Sequence, residues 1–158
     1  MIRRKLLIAS AIMVAVVTTA CSDATAPKDL ASGSSAAFSS RSGTLHVEKD
    51  CSAYTGHAGD FCTLTSSSLE EIEAGSRVVY ASDAVGTSLD TDVILDLPGP
   101  GNNTAFGHCT LSLATGVGVC NFLGGTGKFT WFHASVAVSY LGGPNFAWDG
   151  TYSFGPRD

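Results

Sequence analysis

Five cysteines and four histidines are the residues of this chain with the widest chemical reach. The intervals Cys51 to Cys62 and Cys109 to Cys120 are equal, and each encloses a turn signal. Two local disulfides, Cys51–Cys62 and Cys109–Cys120, are the expected pairing among the three that four cysteines allow. Zinc is the rival use of such sulfurs, with His57 or His108 joining them, but the spacing matches no C-x₂₋₄-C site. No metal and no cofactor is expected. The histidines His46, His57, His108 and His133 are scattered, with no H-E-x-x-H and no G-x-S-x-G around them. A His–Asp pair assembled in space, for instance His133 with Asp149 from a neighbouring strand, is the nearest approach to acid–base chemistry. A hydrogen-bonded surface histidine is the plainer reading, and no catalytic residue is assigned.

Two further stretches imitate ligand loops. Gly124-Gly125-Thr126-Gly127-Lys128 suggests a phosphate loop, but that pattern needs Gly at 122 and Ser or Thr at 129, where the chain has Phe122 and Phe129. A hairpin turn is expected there. Asp90-Thr91-Asp92 resembles the start of a calcium loop, but Ile94 and Leu95 occupy the next ligand and glycine positions, so outward acids on a strand are expected. In Phe146–Phe154 the even positions carry Phe146, Trp148, Tyr152 and Phe154. That aromatic face is either barrel core or the lining of a ligand pocket, with Trp148, Tyr152, Phe146 and His133 as the candidate ligand-binding residues.

The elements that must position these residues are strands. Val93, Leu95 and Leu97 alternate with Asp92, Ile94 and Asp96, and Val136, Val138 and Tyr140 alternate with Ser135, Ala137 and Ser139. Phe129, Trp131 and His133 fall on the other face of that last segment. Gly- and Asn-rich turns separate the runs. About eight strands are predicted, near 44–49, 61–67, 76–81, 91–97, 105–113, 117–123, 128–140 and 146–154. Ser68-Leu69-Glu70-Glu71, ended by Gly75, hints at a single helical turn. Short connections favour a meander, and closure into a small barrel removes exposed edges.

The N-terminus carries a different message. Arg3, Arg4 and Lys5 precede the apolar run Leu6–Val17, and Thr18-Thr19-Ala20 leads into Cys21. This is the layout of an export signal, too short for the roughly 20 apolar residues of a membrane span. The segment resembles bacterial lipoprotein signals, which implies lipid attachment at Cys21, the cysteine left over from the two predicted bridges. Ser22 after it resembles lipoproteins sorted to an outer membrane, should the host be Gram-negative. The alternative is an ordinary secretory signal with Cys21 incidental. The expected organisation is a signal peptide at 1–20, a flexible Ala/Ser/Thr-rich tether at 21–42 and one domain at 43–158. Removing residues 1–20 leaves six basic against fourteen acidic residues, a formal charge of −8. Such a chain is a poor partner for nucleic acid or anionic lipid.

Gly124-Gly125-Thr126-Gly127-Lys128-Phe129, a long strand, and then Trp148-Asp149-Gly150-Thr151-Tyr152-Ser153-Phe154 resemble the allene oxide cyclase-like barrel family. Cys62–Ser67 and Ala74–Tyr80 resemble its exported bacterial members. The resemblance runs from about Cys51 to Phe154 and implies an eight-stranded antiparallel up-and-down barrel. The family commonly places Gly two residues after the motif's Phe, where this chain has Trp131. No catalytic carboxylate of the plant cyclases aligns here, and related barrels have diverse roles. The expectation is therefore an exported, lipid-anchored, non-enzymatic barrel in the cell envelope that takes a small apolar ligand in its lumen. The alternatives are a cyclase or isomerase using the lumen as active site, and a surface interaction protein with a solid core. An open lumen favours the first two, and a filled one favours the third.

Overall fold

The computed structural model describes residues 41–155. The signal segment, Cys21 and all of the tether before Arg41 lie outside the described residues. Eight strands follow in chain order: β1 Arg41–Asp50, β2 Phe61–Ser67, β3 Arg77–Tyr80, β4 Ser88–Asp96, β5 Thr104–Ser112, β6 Val117–Gly125, β7 Phe132–Gly142 and β8 Asn145–Phe154. Each pairs antiparallel with the next, and β8 returns to β1 to close the barrel. The closing register runs without interruption from Arg41 opposite Phe154 to Asp50 opposite Asn145. Among the described residues closure leaves no edge strand.

The period-two pattern of the sequence becomes an inside and an outside. In β4, Leu89, Thr91, Val93 and Leu95 are buried, while Ser88, Asp90, Asp92, Ile94 and Asp96 face out. Leu45, Val47 and Lys49 are the inward residues of β1. The barrel has a chain-entry end, where Arg41, Phe132 and Phe154 lie, and a far end, where Asp50, Tyr80 and Asn145 lie.

Side chains fill the lumen. Phe129, Phe132, Phe122 and Trp148 are all fully buried. Their rings touch in sequence, with centroids 5.2 Å apart for Phe129–Phe132, 6.2 Å for Phe132–Phe122 and 5.4 Å for Phe122–Trp148. Each such tilted contact adds roughly 0.5–1.5 kcal/mol beyond its burial. Both predicted disulfides form, Cys51–Cys62 and Cys109–Cys120. The second joins two inward residues directly opposed in the β5–β6 register.

Two elements differ from expectation. The strand predicted at 128–140 begins only at Phe132, because Gly127–Phe129 form a 3₁₀ turn and Trp131 adopts a left-handed φ of 62°. Phe129 is thereby released from the outer face and plugs the chain-entry end. At Ser68–Gly75 no helix forms; the backbone N–H of Ile72 bonds the Leu69 carbonyl as a turn, and Leu69 and Ile72 are buried.

Candidate functional site

Two places on the barrel concentrate unspent chemistry. The first is a groove of about 650 Å³ across the outer wall. It is lined by three consecutive residues from each of four adjacent strands: 42–44 of β1, 151–153 of β8, 133–135 of β7 and 121–123 of β6. The register sets Thr44 opposite Thr151, Thr151 opposite Ser135, and Ser135 opposite Asn121. Short hydroxyl side chains on the outward positions make this part of the wall concave, with no acid among its lining residues. His133 stands opposite Leu123 and Ser153, and its Nδ1 is buried without a hydrogen-bond partner.

One side of the groove is apolar. Leu123 is exposed. Ala105 pairs with Gly125 and Gly107 with Phe122, so a bulge sets exposed Phe106 opposite Leu123 and Gly124. Ile94 stands opposite Phe106 and is also exposed. The outer wall thus offers a hydroxyl-rich floor beside an apolar row.

The second place is inside, at the far end. Lys49 is only 3% exposed, yet carries an amine. Its Nζ donates to the Tyr80 hydroxyl at 3.0 Å and lies 4.5 Å from the Trp148 ring centroid. Burial alone pushes the Lys49 amine down to about 7, because the ammonium form loses its hydration and gains no carboxylate. Burial likewise raises the Tyr80 phenol far above its ordinary value. Beside them is a small cavity of about 30 Å³, lined by Lys49, Tyr80, Tyr54, the Cys51–Cys62 bridge and the apolar residues Leu89, Leu111, Leu113 and Phe146. Tyr54 packs on Tyr80 with centroids 4.9 Å apart, and its hydroxyl is buried without a partner.

The candidate ligand residues are divided between these places. His133 lines the outer groove, the Tyr152 ring packs against the core opposite Gly43, Phe146 lines the far-end cavity, and Trp148 is fully buried under Lys49. Sequence reading missed Lys49, Tyr80 and Tyr54. The signal for Lys49 was present: it continues the inward phase of Leu45 and Val47.

The alternative pair of His133 with Asp149 does not form, because β7–β8 register places His133 opposite Ser153 and Asp149 opposite Ala137. Barrel closure instead puts His46 opposite Asp149, with Nδ1 2.6 Å from Oδ1. His108 lies between Asp92, at 2.9 Å, and Asp90, at 2.8 Å. Hydrogen bonds to Asp149 and Asp92 respectively raise the His46 and His108 pKa values. Both rings are about half exposed, and they are surface ion pairs. Asp90 and Asp92 are the outward acids anticipated on β4. Gly124 and Gly125 end β6 and the turn follows at Thr126–Phe129, with the Thr126 hydroxyl donating to the Asn102 carbonyl at 2.7 Å and Lys128 Nζ bonding Glu73 at 2.6 Å.

The site and fold define a class, a disulfide-bridged, closed eight-stranded up-and-down barrel. Two disulfides point to an oxidising, extracytoplasmic location. Comparison with protein-family models, with curated proteins and with solved structures finds no match to the chain.

Proposed function

We propose that this protein is an exported, lipid-tethered, non-enzymatic binding domain that takes its ligand on the outer wall of a solid barrel. The observation carrying this reading is the filled lumen: Phe129, Phe132, Phe122 and Trp148 occupy the axis, while the groove on the outer wall is open. Among the described residues, the far-end cavity offers a small apolar ligand a space of about 30 Å³ inside. His133 keeps its candidate role, now as part of the outer groove beside Thr44, Ser135 and Thr151, whereas the Tyr152 ring packs on the core opposite Gly43. The charge of −8 on residues 21–158 argues against polyanionic partners, and the uncharged floor suits a neutral polar ligand with one apolar edge. Kinship with allene oxide cyclase-like barrels is supported by the Gly124–Phe129 turn and by the strand count.

Two experiments test the reading. Cys21→Ser should move the protein from the membrane fraction to the soluble one and remove a diacylglycerol mass; an unmodified N-terminus in the native protein would sink the anchor. A photo-cross-linking residue at position 151 should capture a ligand in the cell envelope, and Ser135→Arg should abolish the adduct while a cross-linker at Asp90 yields none. An apolar molecule co-purifying in native mass spectrometry and unaffected by Ser135→Arg would move the site into the lumen.

A further inference from the structure

The far-end cavity holds hydrogen-bond donors in excess of acceptors. Lys49 brings three N–H groups and places one on Tyr80. The Tyr80 oxygen accepts that bond, so its own hydrogen is left with only the Cys62 sulfur, 3.4 Å away. The Tyr54 hydroxyl, in the cavity lining, is buried and unpartnered. Buried donors left unmet are costly and rare, and an unpaired buried cation more so.

Among the described residues no carboxylate bonds this amine; Asp83, the acid nearest Tyr54 besides Asp60, accepts from the Ala58 amide. On β1, Glu48 faces outward, and Asp50 accepts from the Ser52 amide at 2.7 Å. In the loop before β2, Asp60 is bonded to Thr55 and His57. On β4, Asp90 and Asp92 face outward to His108. The groups facing Lys49 are Cys62 of β2, Tyr80 of β3, Leu89 of β4, Leu111 of β5, and Phe146 and Trp148 of β8, together with Tyr54. Its lowered pKa has burial as its cause, with no acid opposing it.

We propose that this cavity binds a small monovalent anion, a halide or the carboxylate of a short acid, between the Lys49 ammonium and the Tyr80 and Tyr54 hydroxyls. The charge, the missing acceptors and the size agree. A space of about 30 Å³ exceeds the ~10–15 Å³ that one water needs, and suits one halide or a carboxylate head. Leu111, Leu113 and Phe146 are half-buried at the rim and offer contact to a methyl group. Divalent oxyanions are excluded, because one lysine meets only one charge in a dry site. Binding and protonation are linked, since the anion holds only the ammonium form.

The test is the titration of Lys49 in the full chain, followed by NMR of ¹³C-labelled lysine side chains and assigned with Lys49→Met. It is run in sodium sulfate, chloride or acetate at matched ionic strength. The midpoint in sulfate should stay near 7, and in chloride or acetate it should rise by about one pH unit or more. A rise in chloride alone identifies a halide site, and in acetate alone a carboxylate site. Tyr80→Phe should reduce the rise. Above the free midpoint, affinity should weaken about tenfold per pH unit. One midpoint common to all three salts overturns the proposal. Ser135→Arg, which blocks the outer groove, should leave the titration unchanged, so this inference fails or stands separately from the outer-wall reading.

Discussion

Lys49 couples the stability of the barrel to pH. Its amine sits at about 7 in the fold against 10.5 when unperturbed. Between those pH values the unfolded chain holds a proton that the folded chain has released, so stability rises with pH across the window. The penalty is fully present below pH 7 and shrinks as pH rises toward 10.5. Lys49→Met should therefore flatten the slope of urea-unfolding free energy above neutral pH and raise stability at pH 6 by about 1–4 kcal/mol. An unchanged slope would show that Lys49 is solvated in the fold. His46 and His108 act in the opposite sense. Their raised pKa values contribute stability below 6.5 that is lost as pH rises through the folded values. With rings half exposed, their share is small beside that of a buried amine.

At the scale of elements, Trp131 decides where β7 starts. Its left-handed φ turns the chain out of the 3₁₀ turn, and Phe132 then enters the lumen. A non-glycine residue in this region costs about 1–2 kcal/mol, and Trp131 is 57% exposed, so its packing offsets little. Trp131→Gly should stabilise the domain by about 0.5–1 kcal/mol, the relieved strain exceeding the added freedom of the unfolded chain. Equilibrium denaturation checks this, and a loss of stability would mean that the indole is packed. The break at 131 was poorly legible in sequence. Phe129, Trp131 and His133 preserve a two-residue alternation, and periodicity cannot see the sign of a φ angle. The turn at Ser68–Gly75 misled for a related reason: its capping-box pattern is local, whereas Leu69 and Ile72 answer to the lumen they cover.

For the whole molecule, closure and cross-linking are separate devices. Each disulfide spans only 11 residues, so neither ties the first strand to the last. That union belongs to the β1–β8 ladder. Replacing Cys109 and Cys120 together by alanine should cost about 3 kcal/mol in the chain-entropy account and leave the barrel closed. A lower denaturation midpoint with an unchanged far-ultraviolet spectrum is the expected result. Loss of the spectrum would make the bridge a condition of closure.

Alternation along each run, the glycine-rich turns and the equal cysteine intervals are local properties, and by themselves they determined the number of strands, the meander and both disulfides, though not where β7 begins. What only the tertiary structure decided depends on contacts remote in sequence. His46 meets Asp149 rather than His133 doing so because the closing register, not any motif, sets which residues are neighbours across β1 and β8. The lumen is filled because ring volumes add around the axis from β6, β7, β8 and the 3₁₀ turn. Lys49 was visible on the inward phase of β1, but its meaning required the surrounding walls: a lysine becomes a chemical site only when every neighbouring strand withholds a carboxylate from it.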